Sequence, residues 1–269
     1  MIPVLHRTLI IILLSTVSVI GSAAPLAIQP GEKFVYRLAW GPFRKAATLE
    51  IVADLDPQST EATTRVTSHT ATRGMIRALY PFDGWGQFFY APESGQLLEA
   101  KAWTESSSKK TNASMTVDYD AMTADYVDHL RPHRSLEIDI PPEQAFDFLT
   151  TLMQTRNMEL AVGREISVPV FFDDELYPLV ITVEDREEIK TPMGKMPALL
   201  LVPRMVENPR GMFEDGGEIK IWVSDDEWRI PLKFEVKVAV GTAMALLMEH
   251  RKPNDLARAS HRVSDRSAP

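Results

Sequence analysis

A chain with no cysteine must draw any chemistry from histidine, carboxylate, hydroxyl or basic side chains, and here these are scattered. His129 and His133 are the closest of the six histidines. Two histidines four apart on a helix can aim at one metal ion, but Pro132 between them breaks such a helix, so no metal site is expected. His69 and His250 fall in strand-like runs and read as surface or hydrogen-bonded residues. No G-x-S-x-G elbow, H-E-x-x-H pair or phosphate loop is present, and Ser106 to Lys110 reads as a solvated hairpin turn. The acidic triplets at 173–175 and 225–227 place charges side by side, where a calcium loop alternates them and adds a glycine. They read as turns, the second tightened by Arg229 reaching back to Asp225 or Asp226. No catalytic residue, metal or cofactor is expected, and the chain reads as a non-enzyme.

The more suggestive constellation is apolar. Trp40 and Phe43, then Met75, Ile76, Leu79, Tyr80, Phe82, Trp85, Phe88 and Phe89, stand where the chain turns or edges, with Arg73 and Arg77 among them. Such a set could cap the core, or line the mouth of an apolar cavity. As a ligand site it is read as Trp40, Phe43, Arg73, Arg77, Trp85 and Phe88, with Arg73 or Arg77 meeting the anionic head of a lipid-like molecule.

Alternation of apolar and polar residues dominates the elements that must position these groups. Leu232, Phe234, Val236, Val238 and Val240 oppose Lys233, Glu235 and Lys237, as a strand with one dry face requires. Similar runs cover 34–40, 49–55, 179–183 and 219–223, separated by short turns such as Asp56-Pro57 and 118–122. Short connections imply hairpins, since parallel neighbours need crossovers of about a dozen residues or more. The predicted fold is mainly β: an antiparallel meander forming a strongly curved sheet or barrel-like structure. One short helix is expected over about 142–156, where Pro141-Pro142 precede apolar residues spaced by three and four.

The ends differ from the middle. The apolar run Leu9 to Ile20 follows Arg7 and precedes Gly21-Ser22-Ala23, a pattern predicting a signal peptide over 1–23. The remainder reads as one β-rich domain over 24–251 and a disordered tail over 252–269, with no transmembrane segment in the mature chain. Without residues 1–23 the charge is 28 − 37 = −9. That sign argues against nucleic acid and anionic lipid surfaces as partners. The expected location is periplasmic or otherwise extracytoplasmic.

Several strings also carry a resemblance: Lys190-Thr191-Pro192-Met193-Gly194-Lys195, Val202-Pro203-Arg204, and Trp222-Val223-Ser224-Asp225-Asp226-Glu227-Trp228-Arg229-Ile230-Pro231. With Tyr36 to Phe43 and Ala47 to Glu50, they resemble the bacterial domain of unknown function 3108 family over roughly residues 31–250. The resemblance implies an exported, β-rich protein with no assigned activity. By fold-level analogy the curved sheet plus helix is similar to periplasmic lipoprotein carriers, whose half-open barrels hold acyl chains. The leading expectation is therefore an envelope protein binding an apolar or amphiphilic ligand or an envelope partner. The alternative is an assembly factor that adds a partner's strand at a sheet edge.

Overall fold

An extended strand points its backbone N–H and C=O groups sideways toward neighbours, and in the computed structural model fifteen strands pair in a single sheet. The structure describes residues 26–253 except 60, 61, 92, 142–145, 173–174, 207–208, 210–212, 214–216 and 239–240. The predicted signal peptide and nearly all of the predicted tail lie outside the described residues.

The first half comprises β1 (Lys33–Trp40), β2 (Phe43–Leu55), β3 (Thr64–Thr72), β4 (Phe82–Tyr90), β5 (Leu97–Ser106), β6 (Lys110–Asp118), β7 (Thr123–Asp128) and β8 (Leu136–Asp139). The second half comprises β9 (Phe146–Asp147), β10 (Glu165–Phe172), β11 (Glu175–Thr191), β12 (Gly194–Met205), β13 (Glu218–Ser224), β14 (Pro231–Val238) and β15 (Gly241–Arg251). Their order is β8-β7-β6-β5-β4-β3-β2-β1-β15-β14-β13-β12-β11-β10-β9. Every pairing is antiparallel except the two-residue contact of β9 with β10. The hairpin meander is thus the observed fold.

The curvature follows from chain length. At about 4.8 Å per strand, a flat sheet of this width would set its edge strands about 67 Å apart. Yet β8 and β9 are those edges, and only residues 140–145 join them, a reach of at most about 25 Å. The sheet must curl until its edges approach, and side chains across the hollow meet accordingly. Tyr126 of β7, Met115 of β6 and Phe171 of β10 belong to one core with Phe34, Leu97 and Trp222.

Strand parity assigns the faces. Phe34, Tyr36, Ile51, Val66, Phe88 and Tyr90 point inward, while Glu50, His69 and Trp85, offset by one, lie on the outer face. β12 is buried on both faces: Leu200 and Val202 join the first core, and Leu199 and Leu201 join a second with Leu179, Ile181 and Ile221. A bulge between Val183 and Asp185 lets the seventeen-residue β11 serve both: Val183 enters the second core and Ile189 the first.

The helix is shorter than its sequence suggested. Residues 142–145 lie outside the described residues, 146–147 pair as β9, and α2 spans Phe148–Gln154, followed by a 3₁₀ turn at Thr155–Asn157. The start belongs to Asp147, whose side chain accepts from the Thr150 N–H at 3.0 Å. A capping carboxylate outranks the two prolines as a start signal. A second helix, α1 (Gly74–Leu79), was not expected; it fills the connection between β3 and β4.

Candidate functional site

The inward face tapers. On β5 it runs from Leu97 through Ala100 to Ala102, and on β6 from Val117 and Met115 to Ala113 and Thr111. Tyr90 and Leu97 at the wide-residue end are fully buried, whereas Ala102, on the same face, is exposed. Small side chains therefore leave the hollow open at one end. The cavity there encloses about 230 Å³, walled by Leu97, Ala100, Ala113, Met115 and Tyr126 on one side and by Phe171 and Asp147 on the other. It sits between β5–β7 and the opposite edge of the sheet, where curling brings the two together.

Charge rings its mouth. Lys109, Arg131 and Arg134 line it, from the β5–β6 turn and the β7–β8 link. Asp128 is 1% exposed and holds Arg131 in place, accepting from its Nε and its backbone N–H at 2.8 Å and from the Leu130 N–H at 3.0 Å. Burial alone would raise the Asp128 carboxyl, but those N–H donors and the guanidinium outweigh it and hold it below the usual carboxylate range. Asp147 is likewise committed, accepting from the Tyr90 hydroxyl at 2.6 Å and the Thr150 N–H. Burial, with the nearby Asp147 carboxylate, pushes the Tyr90 hydroxyl well above the ordinary phenol range. Both acids are thus occupied as structural acceptors, and three basic side chains stand with these two acids around an apolar floor.

The six residues expected to line a ligand mouth do not share one wall. Trp40 and Phe43 pair across the β1–β2 turn and are exposed. Arg73 donates to Thr48 Oγ1 at 3.2 Å, and Arg77 pairs with Asp83 at 2.6 Å; both stand beside that turn. Trp85 lies on the outer face, with His69 and Trp103 on either side at ring-centroid distances of 5.1 and 5.8 Å. Phe88 faces inward and belongs to the core. One residue type every second position forbids Trp85 and Phe88 from meeting the same ligand.

The acidic turn also differs from its expected form. Asp226 Oδ1 accepts from the Ser224 hydroxyl and from the N–H groups of Trp228 and Arg229. The Arg229 side chain donates instead to the Met158 carbonyl, and Asp225 pairs with Arg186. Turn geometry satisfies the aspartate locally, which frees the arginine to tie the turn to the segment after α2.

Sequence reasoning missed two groups. The cavity's signal was present as the large-to-small taper along β5 and β6. The other is a buried ion cluster: Arg156 Nη1 donates to both carboxylate oxygens of the fully buried Glu32, and His250 Nε2 lies 2.8 Å from Glu32 Oε1. Among the described residues no group of three or more His, Asp or Glu could hold a metal ion, and no helix is long and apolar enough to cross a membrane.

Comparison with known proteins agrees on fold and adds no activity. A β-barrel-like protein of the domain of unknown function DUF1849 from Brucella abortus is 10% identical, covers 82% of this chain and 96% of its own, and superposes with a TM-score of 0.50. A DUF1089 family protein from Pseudomonas aeruginosa is 14% identical over 70% of this chain and 88% of its own, with a TM-score of 0.37. No curated protein matches the chain. The model of a family described as "Protein of unknown function (DUF3108)" matches residues 35–248, and this match establishes that the chain belongs to the DUF3108 family.

Proposed function

We propose that the protein is a non-enzymatic binding protein of the bacterial cell envelope, and that its concave cavity holds the apolar part of a small amphiphile with an anionic head. The carrying observation is the pairing of an apolar-floored hollow with a basic mouth on one face. Ligand pockets are mostly apolar with a few placed polar groups, and guanidinium is well suited to carboxylate or phosphate. At about 230 Å³ the hollow lies below the usual range of about 300–1,000 Å³, so the ligand is held in part and its head stays at the rim. The apolar run and small residues at the N-terminus support an extracytoplasmic location. The acids nearest the cavity are engaged in structural hydrogen bonds, which favours binding over catalysis.

Uptake of a fluorescent fatty acid by the purified protein tests this. Ala113→Trp fills the hollow and should abolish uptake while leaving the melting temperature within a few degrees. Lys109→Gln with Arg134→Gln should weaken it about tenfold or more, since each lost head-group contact costs roughly 1 kcal/mol. Arg131 is left intact, because its removal would strand the buried Asp128. Failure of the wild type to take up the probe, together with a ligand-free native mass for protein drawn from a bacterial envelope, would refute the reading.

A further inference from the structure

We infer that the end of the molecule built by the β1–β2 turn and α1 docks on an anionic lipid surface. The inference stands on the outer surface alone and does not require the cavity to bind anything.

Five large apolar side chains are exposed on these two segments: Trp40 at 40% exposure, Phe43 at 38%, Met75 at 67%, Leu79 at 71% and Tyr80 at 46%. They come from two segments in contact, since α1 packs on β2 and the Arg73 N–H donates to the Ala46 carbonyl at 2.7 Å. The turn at Gly41 has φ +51°, a conformation that suits glycine, and it sets Trp40 and Phe43 opposite each other at the tip. A soluble surface scatters its apolar residues singly; a cluster mixing tryptophan, tyrosine and aliphatics is the composition of a membrane interface.

Charge identifies the kind of surface. Residues 37–49 and 73–82 contain Arg37, Arg44, Lys45, Arg73 and Arg77 and no acid, in a chain whose net charge is −8. The rest of the chain therefore carries −13 (−8 less +5). Arg77 is neutralised by Asp83, whereas Arg44, Lys45 and Arg73 are exposed beside the apolar cluster. Overall acidity had argued against anionic lipid, but a surface senses only charges within about 10 Å.

Topology adds direction. In an antiparallel meander the β1–β2, β3–β4, β5–β6 and β7–β8 connections all fall at one end, together with those that follow β10, β12 and β14. Lys109, Arg131 and Arg134 at the cavity mouth stand in the β5–β6 and β7–β8 connections. Docking by the β1–β2 and β3–β4 connections would turn the open end of the hollow toward the lipid.

Co-sedimentation of the whole mature protein with vesicles is the test. Vesicles of phosphatidylglycerol and phosphatidylethanolamine should retain it at low salt, with binding falling steeply by about 0.5 M salt, and pure phosphatidylcholine should not. Met75→Ser with Leu79→Ser, at positions too exposed to unfold the chain, should weaken binding at least tenfold. Arg44→Gln with Lys45→Gln should weaken it by about fivefold per charge. Ala113→Trp should bind vesicles as the wild type does, which separates this result from that for the cavity. No sedimentation with anionic vesicles overturns the inference, as does equal binding by the well-folded surface variants. A concentration-dependent dimer lost in Met75→Ser/Leu79→Ser would overturn it too, by assigning the cluster to a second copy.

Discussion

Glu32 shows how far a single residue can depend on distant partners. Burial by itself would raise its carboxyl, but the His250 hydrogen bond, the Arg156 charge and hydrogen bond and the Gln29 N–H together hold it below its ordinary 4.5. A carboxyl lowered in the folded state adds stability that is complete above the unfolded value and is lost as pH falls through the folded one. Acid denaturation followed by circular dichroism should therefore steepen below about pH 4.5. Glu32→Gln should remove that component and, by leaving Arg156 unpaired, cost about 3–5 kcal/mol near neutral pH. An unchanged acid profile in the variant would show that the cluster contributes nothing. None of this was legible in the sequence, where Glu32 sits in a Pro-Gly-Glu-Lys stretch with no partner nearby. Its partners Arg156 and His250 are 124 and 218 residues away, and no local pattern encodes such a meeting.

At the scale of the element, glycines in β4 seat aromatic rings. A Cβ on Gly86 would lie 2.7 Å from a ring carbon of Phe88 and 2.7 Å from Ser68 Oγ. The serine can turn aside, but the ring is held in the core. Gly86→Ala should cost about 1–3 kcal/mol in urea denaturation. Adding Phe88→Leu should recover part of that loss, so that the double variant is more stable than the sum of the single effects; simple additivity would mean the ring yields freely. Strands such as β1, β13 and β14 were legible because alternation is a local property that survives any tertiary context. The helices were less so. α1 has six residues, and its N-cap residue, Arg73, makes no side-chain capping bond, while the start of α2 depends on Asp147 rather than on the prolines that precede it. The cavity was readable in principle, from inward positions shrinking from Leu97 to Ala102. The aromatic residues of 40–43 and 82–89 are the louder signal in the sequence, yet the strand period divides them between two faces and an exposed tip.

For the molecule as a whole, edge strands decide which partners are feasible. β8 has four residues and β9 two, and Pro169 in β10 lacks an N–H to offer a neighbour. Short or proline-bearing edges are what β proteins use to deter strand addition, which weighs against an assembly factor working by edge pairing. The curled sheet instead offers a hollow and an apolar-basic end, and the proposed roles of both follow from closing a wide meander over small side chains.

The link over residues 140–145 has a further consequence, for the order of events in folding. Every two paired strands are consecutive in the chain except at one seam, where β1 meets β15 and Lys33 registers with Arg251, 251 − 33 = 218 positions away. A circular permutant opened between Pro141 and Phe146, with Lys252 joined to Leu26 through a few glycines, would begin at β9 and end at β8 with every pairing local. Such a chain should reach the same architecture and refold faster in stopped-flow measurements than its parent, because the slow search for the seam has been made covalent. Equal or slower refolding would mean that the seam forms early and that another step limits the rate.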